Sequence, residues 1–270
     1  MPPTEALRRV AGWLACPNCR GTMAVAGSVL GCESGHGFDV ARQGHVNLLG
    51  RAAPANADTP AMLAARERFL ASGHYSPVSE PVADAVAGRE RLLEVGAGTG
   101  HYLARALDAS PRSLGLATDV SPAAARRAAR AHPRMAAAVA DTWAGLPLAD
   151  ASVDAVLCVF APRNAAEFAR VLRPGGLLVV VVPGPEHLVE LRRAHDLLDV
   201  GADKLEGVTN QLRDLLRPVA RTEVRRLLRL DEEEATALVG MGPNAFHSTP
   251  ARVPAGEVTL QVTIATFTAH

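Results

Sequence analysis

Lysine is nearly missing from this 270-residue chain: Lys204 stands alone, and every other basic residue is an arginine. An excess of either charge is missing too, with 28 basic residues against 28 acidic ones. No global positive field therefore advertises a nucleic-acid partner, and DNA is not expected; only a local patch could serve RNA. Long apolar runs are absent. Runs such as Leu177 to Val182 fall far short of the roughly 20 residues a membrane span needs. The N-terminal MPPTEALRRVAGW lacks the apolar stretch of a secretory signal, so a cytoplasmic chain without a membrane partner is expected. What is present suffices for a core: 48% hydrophobic and 21% charged residues exclude disorder, collagen and coiled coil. The length predicts one large domain or two modest ones.

Cysteine is scarce and unevenly placed. Three of the four cysteines fall in CPNCRGTMAVAGSVLGCESGHG, where Cys16, Cys19, Cys32 and His36 give C-x2-C-x12-C-x3-H. A two-residue gap stiffened by Pro17 folds a knuckle that aims two thiolates at one point. The twelve-residue gap allows a hairpin that brings a second knuckle opposite. That is the spacing of a closed, structural Cys3His zinc site; a disulfide is disfavoured in a reducing compartment. Cys158, in the apolar VDAVLCVFA, is expected to be a small core residue.

Residues 1–49 are expected to form a zinc-stapled module too small for a core without its metal. Residues 50–74 hold a linker and a helix, capped by Asp58 or Thr59 with Pro60 in its first turn and stopped by Gly73. From residue 75 to 270 a larger domain is expected. There RLLEV, SLGLATDV, AAAVAD, SVDAVLCVF and LLVVVVP alternate with helical segments, one of them AAEFARVLRPGG, ended by its Pro-Gly-Gly turn. That alternation predicts an α/β fold with a parallel sheet covered on both faces. The final EVTLQVTIATFTA is expected as an antiparallel edge strand.

The segment LLEVGAGTG ends a strand, turns on Gly96 and Gly98, and enters a helix near Thr99. Glycines there let a ligand approach the backbone at the carboxyl edge of the sheet. Asp119 ends the next strand, where an acid can bind two ribose hydroxyls. Asp141 ends the third, suited to an adenine amino group. Glu94 can fix the loop or bind an ammonium group. A dinucleotide enzyme would keep a third glycine where His101 stands. The three acids and LRPGG resemble class I S-adenosylmethionine (SAM) methyltransferases, and imply a Rossmann-like doubly wound sheet behind the N-terminal zinc ribbon.

Taken together, CPNC, FDVARQGHVNLL, ADTPAMLAARERFLASGHY, EVGAGTG, VFAPRN, PGPEHL and MGPNAFH make the chain similar to the bacterial 23S rRNA (guanine-N1)-methyltransferases. The likeness is greatest to the branch conferring resistance to tylosin- and mycinamicin-type macrolides. The resemblance implies zinc on Cys16, Cys19, Cys32 and His36, and SAM contacts from Tyr75, Gly98, Thr99 and His187. It also implies a homodimer acting on a guanine in a 23S rRNA hairpin loop that lines the ribosomal exit tunnel. Two positions depart from the family pattern: His45 stands where an aromatic residue is usual, and Phe246 replaces a common tryptophan.

Methylating guanine N1 requires loss of its proton and accommodation of charge on O6, on a base taken out of its stack. Arg163 could stabilise O6. Asn164 could bind the base edge or merely cap the helix after it, and His74 is a candidate proton acceptor. Residues 1–75 carry seven arginines against five acids, so the zinc module is expected to dock RNA, with Arg20 and Arg42 near phosphates and His45 stacking on a base. Two other readings stay open: a SAM methyltransferase acting on a small molecule such as a polyketide, and a non-catalytic SAM- or RNA-binding protein.

Overall fold

The structure, a computed structural model, describes residues 3–195, 197, 204–242 and 252–270. Phe246, with the rest of its segment after Gly242, lies outside the described residues. The chain begins with α1 (Pro3–Val10) and a 3-10 turn ending at Trp13. A small antiparallel sheet follows, made of β1 (Met23–Ala26), β2 (Val29–Cys32) and β3 (Gly37–Asp39). Next come β4 (His45–Asn47), α2 (Pro60–Ala71) and α3 (Ser76–Ala85). Helix α2 starts as its sequence demands. The Thr59 hydroxyl accepts from the Met62 amide, and Pro60 occupies the first turn, where its missing N–H is no loss.

The alternating region then runs β5 (Arg91–Val95), α4 (His101–Ala109), β6 (Leu114–Asp119), α5 (Pro122–Ala131), β7 (Met135–Val139), β8 (Val153–Val159), α6 (Ala165–Val171) and β9 (Leu172–Pro183). It closes with α7 (Val189–His195), α8 (Lys204–Leu212), β10 (Leu216–Leu230), α9 (Glu232–Gly240) and β11 (Gly256–Ala269). The large sheet has the order β10-β11-β9-β8-β5-β6-β7-β4. Strands β4 to β9 in this sheet pair parallel, and β11 pairs antiparallel with both of its neighbours. The order reverses between β5 and β8, and ligands of open α/β sheets lie at such a switch point, beyond the carboxyl ends of the strands.

Side-chain alternation divides the core between the two faces. Leu92 packs with Phe69, Val82 and Leu103 on one side, while Leu93 and Val95 pack with Leu7, Leu116 and Phe168 on the other. Each fully buried leucine contributes about 1.5–3 kcal/mol, which is why these strands read so clearly as unbroken apolar runs. No helix among the described residues is long and apolar enough to cross a membrane.

Residues 1–49, expected as a module, share a core with the larger sheet: β4 pairs with β7, and Leu7, Val10 and Leu14 pack with Leu93, Leu116 and Leu148. Two expectations need correcting. The terminal strand β11 is antiparallel but is not the edge; β10 pairs along it and takes that place. The helix after Asn164 ends at Val171, not at the Pro-Gly-Gly turn, because Leu172 already pairs with Val153 of β8.

Candidate functional site

The zinc-ligand positions converge as their spacing requires. The Cys16 amide donates to the Gly21 carbonyl (2.9 Å) and the Arg20 amide returns to the Cys16 carbonyl (2.8 Å), closing the first knuckle. The second closes through the Cys32 amide on the His36 carbonyl and the Gly35 amide on the Cys32 carbonyl, both 3.0 Å. Cys19 Sγ lies 3.7 Å from Cys32 Sγ, and His36 Nδ1 lies 3.4 Å from Cys32 Sγ and 3.6 Å from Cys16 Sγ. A tetrahedron with Zn–S near 2.3 Å and Zn–N near 2.0–2.1 Å has edges of roughly 3.8 and 3.5 Å. The four donors therefore fit one zinc, ligated through His36 Nδ1. Hydrogen bonds from the Ser34 side chain and the Gly21 amide pull the Cys19 thiol down to about 6, ready for the metal. All four positions are filled by protein, so the site is structural.

Two residues expected to meet RNA also hold the fold together. Arg20 donates to the carbonyls of Leu146 (3.2 Å) and Leu148 (2.7 Å), fastening the first knuckle to the loop after β7. His45 belongs to the large sheet through β4; it is half-buried, and burial lowers its pKa. Arg42 is exposed.

At the switch point the glycine turn is shaped by its neighbours. Gly96 and Gly98 have φ of +60° and +55°, a region costly for other residues. A Cβ at Gly96 would lie 2.7 Å from the Cβ of Ala161, across the gap between β5 and β8. Asp119 Oδ2 accepts from the Gly98 amide and its Oδ1 from the Ser121 amide, both at 2.8 Å. Each oxygen keeps lone pairs for ribose hydroxyls. Glu94 takes the loop-fixing role: it is fully buried, Oε2 accepts from the Leu103 amide (3.1 Å), and burial pushes its carboxyl up to about 8. Buried Thr99 lines a recess of about 470 Å³ between α2, α4 and α5. That recess reaches the turn only there.

The segment 50–60, expected as a plain linker, forms with the start of α2 a strap across three strand ends. Arg51 ion-pairs with Asp141 after β7, the Asp58 carbonyl accepts from Ser121 Oγ (2.7 Å) after β6, and Arg66 reaches the glycine turn after β5.

Beyond β8, Phe160 holds φ +53° and is 41% exposed. Its ring lies 6.0 Å from His187 and 6.3 Å from Tyr75 between centroids. Tyr75 and His187, distant in sequence, thus meet around one aromatic side chain. His187 is buried, with Nδ1 facing the Gln261 amide at 3.3 Å. Cys158 sits below as a core residue, its thiol pushed up to about 12 by burial.

The proposed chemical residues fare unequally. Asn164 caps α6: its oxygen accepts from the Glu167 amide (3.3 Å), and its Nδ2 donates to the Thr142 carbonyl (3.0 Å). His74 pairs with Glu234 (2.9 Å) and stacks on Phe69. Arg163 lines a recess of about 350 Å³ with Asn164, Gln211, Leu215 and Trp143, the last 66% exposed. Sequence reasoning passed over Arg51, Arg66, Trp143 and Phe160; a positive φ on a phenylalanine leaves no mark in sequence.

Residues 14–52 match the family described as RlmA, N-terminal, and residues 92–176 match a methyltransferase domain. A putative 23S rRNA (guanine-N(1)-)-methyltransferase of Micromonospora griseorubida is 48% identical over 264 residues, covering 90% of each chain. The chain belongs to the 23S rRNA (guanine-N1)-methyltransferase family. A 23S rRNA (guanine(748)-N(1))-methyltransferase of Streptomyces fradiae is 45% identical over 270 residues, covering 95% of this chain and 96% of its own. Among solved structures, a putative methyltransferase of Haloferax volcanii in complex with the Trm112 activator shares the fold at 21% identity. Its TM-score is 0.54, over 79% of this chain and 97% of that one. As a family member the chain is a SAM-dependent methyltransferase with a zinc ribbon, and the glycine turn, Asp119 and the Cys3His cluster are the local features that accord with it.

Proposed function

We propose that the chain transfers the methyl group of SAM to N1 of a guanine in a 23S rRNA hairpin loop lining the exit tunnel, guanine 748 by analogy with the Streptomyces relative's name. The proposal includes a cytoplasmic homodimer whose product protects the ribosome from macrolides. One observation carries the reading: the 48% and 45% identity runs through ribbon and catalytic sheet together, and both share one core. A small-molecule methyltransferase has no evident use for a ribbon built into its sheet.

The SAM set is Tyr75, Glu94, Gly96, Gly98, Thr99, Asp119, Asp141 and His187, with Glu94 acting through the loop. In this reading the unstacked guanine lies against the exposed ring of Phe160, and the separate recess that Trp143 and Arg163 line takes its neighbouring nucleotide. Aromatic faces hold unstacked bases. The N1 lone pair attacks the methyl carbon as the S–CH3 bond breaks, leaving S-adenosylhomocysteine. The N1 proton passes to water, and Arg163 accommodates charge on O6. Asn164 caps α6 and His74 ties the turn between α2 and α3 to α9 in this reading, because both are already bonded there.

The test offers tritiated SAM with naked 23S rRNA, its hairpin fragment and macrolide precursors. Label in the RNA, with a reverse-transcription stop at the methylated guanine, is expected. Label in a precursor alone would overturn the reading. Light scattering at twice the 28.3 kDa chain mass is expected for the dimer.

A further inference from the structure

Gly98 lacks a side chain for a reason its φ does not exhaust. A Cβ there would lie 2.5 Å from Arg66 Nη1 and 3.6 Å from its Cζ. The guanidinium therefore fills the space over the glycine turn, reaching it from α2. It is held in place: Nη1 donates to Asp58 Oδ2 (2.5 Å) and Nη2 to the Met241 carbonyl (2.7 Å). The side chain is only 23% exposed. Asp58 is itself tied to the turn, since its carbonyl accepts from Ser121 Oγ and the Ser121 amide donates to Asp119. The positive charge is thus fixed relative to the acid that ends β6.

SAM brings an α-carboxylate to this place. The groups around the turn are otherwise hostile to it, because Asp58 and Asp119 would repel a second anion. A guanidinium offers five donors in a planar fork matched to a carboxylate, and two are spent on Asp58 and Met241. We propose that Arg66 binds the α-carboxylate of SAM over Gly98, with Asp58 as the internal counter-ion that keeps the guanidinium aimed when the site is unliganded. The proposal rests on SAM lying over the glycine turn. It adds a residue outside the methyltransferase-domain match at 92–176, and it gives the strap a chemical duty at one end of the cofactor.

The experiment compares SAM with its decarboxylated counterpart, the same sulfonium without the carboxylate, by calorimetry on the full chain. The wild-type protein is expected to prefer SAM by one to two orders of magnitude, the worth of a charge-assisted hydrogen-bonded pair. Arg66→Gln should bind both compounds alike, at the affinity the wild type shows for the decarboxylated one. Asp58→Asn should keep the preference. An Arg66→Gln protein that still prefers SAM overturns the proposal, whatever happens to its RNA binding. If Arg66→Gln does not fold, the wild-type comparison alone decides, since equal affinity for the two compounds leaves no carboxylate contact to assign. Asp119→Ala separates the underlying placement. It should weaken both compounds equally through the ribose, and unchanged affinity for both would remove SAM from these strand ends and the proposal with it.

Discussion

The ring of Phe160 stacks on that of His187, centroids 6.0 Å apart and planes 18° from parallel, although Phe160 holds its backbone in a region that favours glycine. A non-glycine residue there costs roughly 1–2 kcal/mol, and such strain persists where surroundings enforce it. Phe160→Gly should therefore be about 1 kcal/mol more stable to urea than Phe160→Ala, while both lose methyl transfer by at least about tenfold. Equal stability of the two variants would show that no strain is stored at the strand end.

Glu94 makes stability depend on pH with a definite sign. Burial raises its carboxyl from an ordinary 4.5 to about 8 in the folded chain. Below about pH 4.5 folded and unfolded states are both protonated, and Glu94 contributes no slope. Between there and about pH 8 the unfolded chain ionises while the folded one does not, so stability falls by up to about 1.4 kcal/mol per pH unit. Glu94→Gln imitates the neutral acid and should gain on the wild type steadily across that window, as followed by urea unfolding at several pH values. A constant difference would mean that Glu94 is ionised in the fold.

Metal analysis should return one zinc per chain. Cys19→Ala should lower it and, because α1 and β4 lie in the large core, should depress the single thermal transition of the whole molecule. A separate low-temperature transition confined to the ribbon, with the rest unchanged, would contradict the shared core.

Asp119→Ala should weaken SAM binding by one to two orders of magnitude, since hydrogen bonds to a charged group are worth about 1.5–3 kcal/mol. Asp119→Asn should lose less, because one oxygen still accepts from a backbone amide. Calorimetry reads both.

Arg20 and Arg42 should part company. Arg20 is bonded to two carbonyls of the catalytic part, so Arg20→Ala should lower thermal stability by about 1–3 kcal/mol. Exposed Arg42→Glu should leave stability alone, weaken hairpin binding and flatten its salt dependence. Filter binding at several salt concentrations distinguishes them.

Strands β5 to β9 are legible in sequence because burial on both faces demands unbroken apolar runs, and the glycine turn and strand-end acids are legible because few residues serve there. The three residues of β4 carry no periodicity, so their partner in β7 could not be read. Strand β10 spans Leu216–Leu230, of which only VRRLLRL looks like a strand, since most of an edge strand faces water. Arg66 was hidden by its helix: an arginine among AARERF looks like a solvated face, and only the fold shows that it faces a glycine thirty-two residues away.

The parallel pairing of β4 with β7 also has a metrical consequence. Were the ribbon the part that reads the RNA, its β4–β7 pairing would set the span between reader and methyl donor. Such an enzyme would work as a caliper. Two loops of identical sequence on stems of different length would present their guanines at different spans, and only the stem that fits the jaws would be marked.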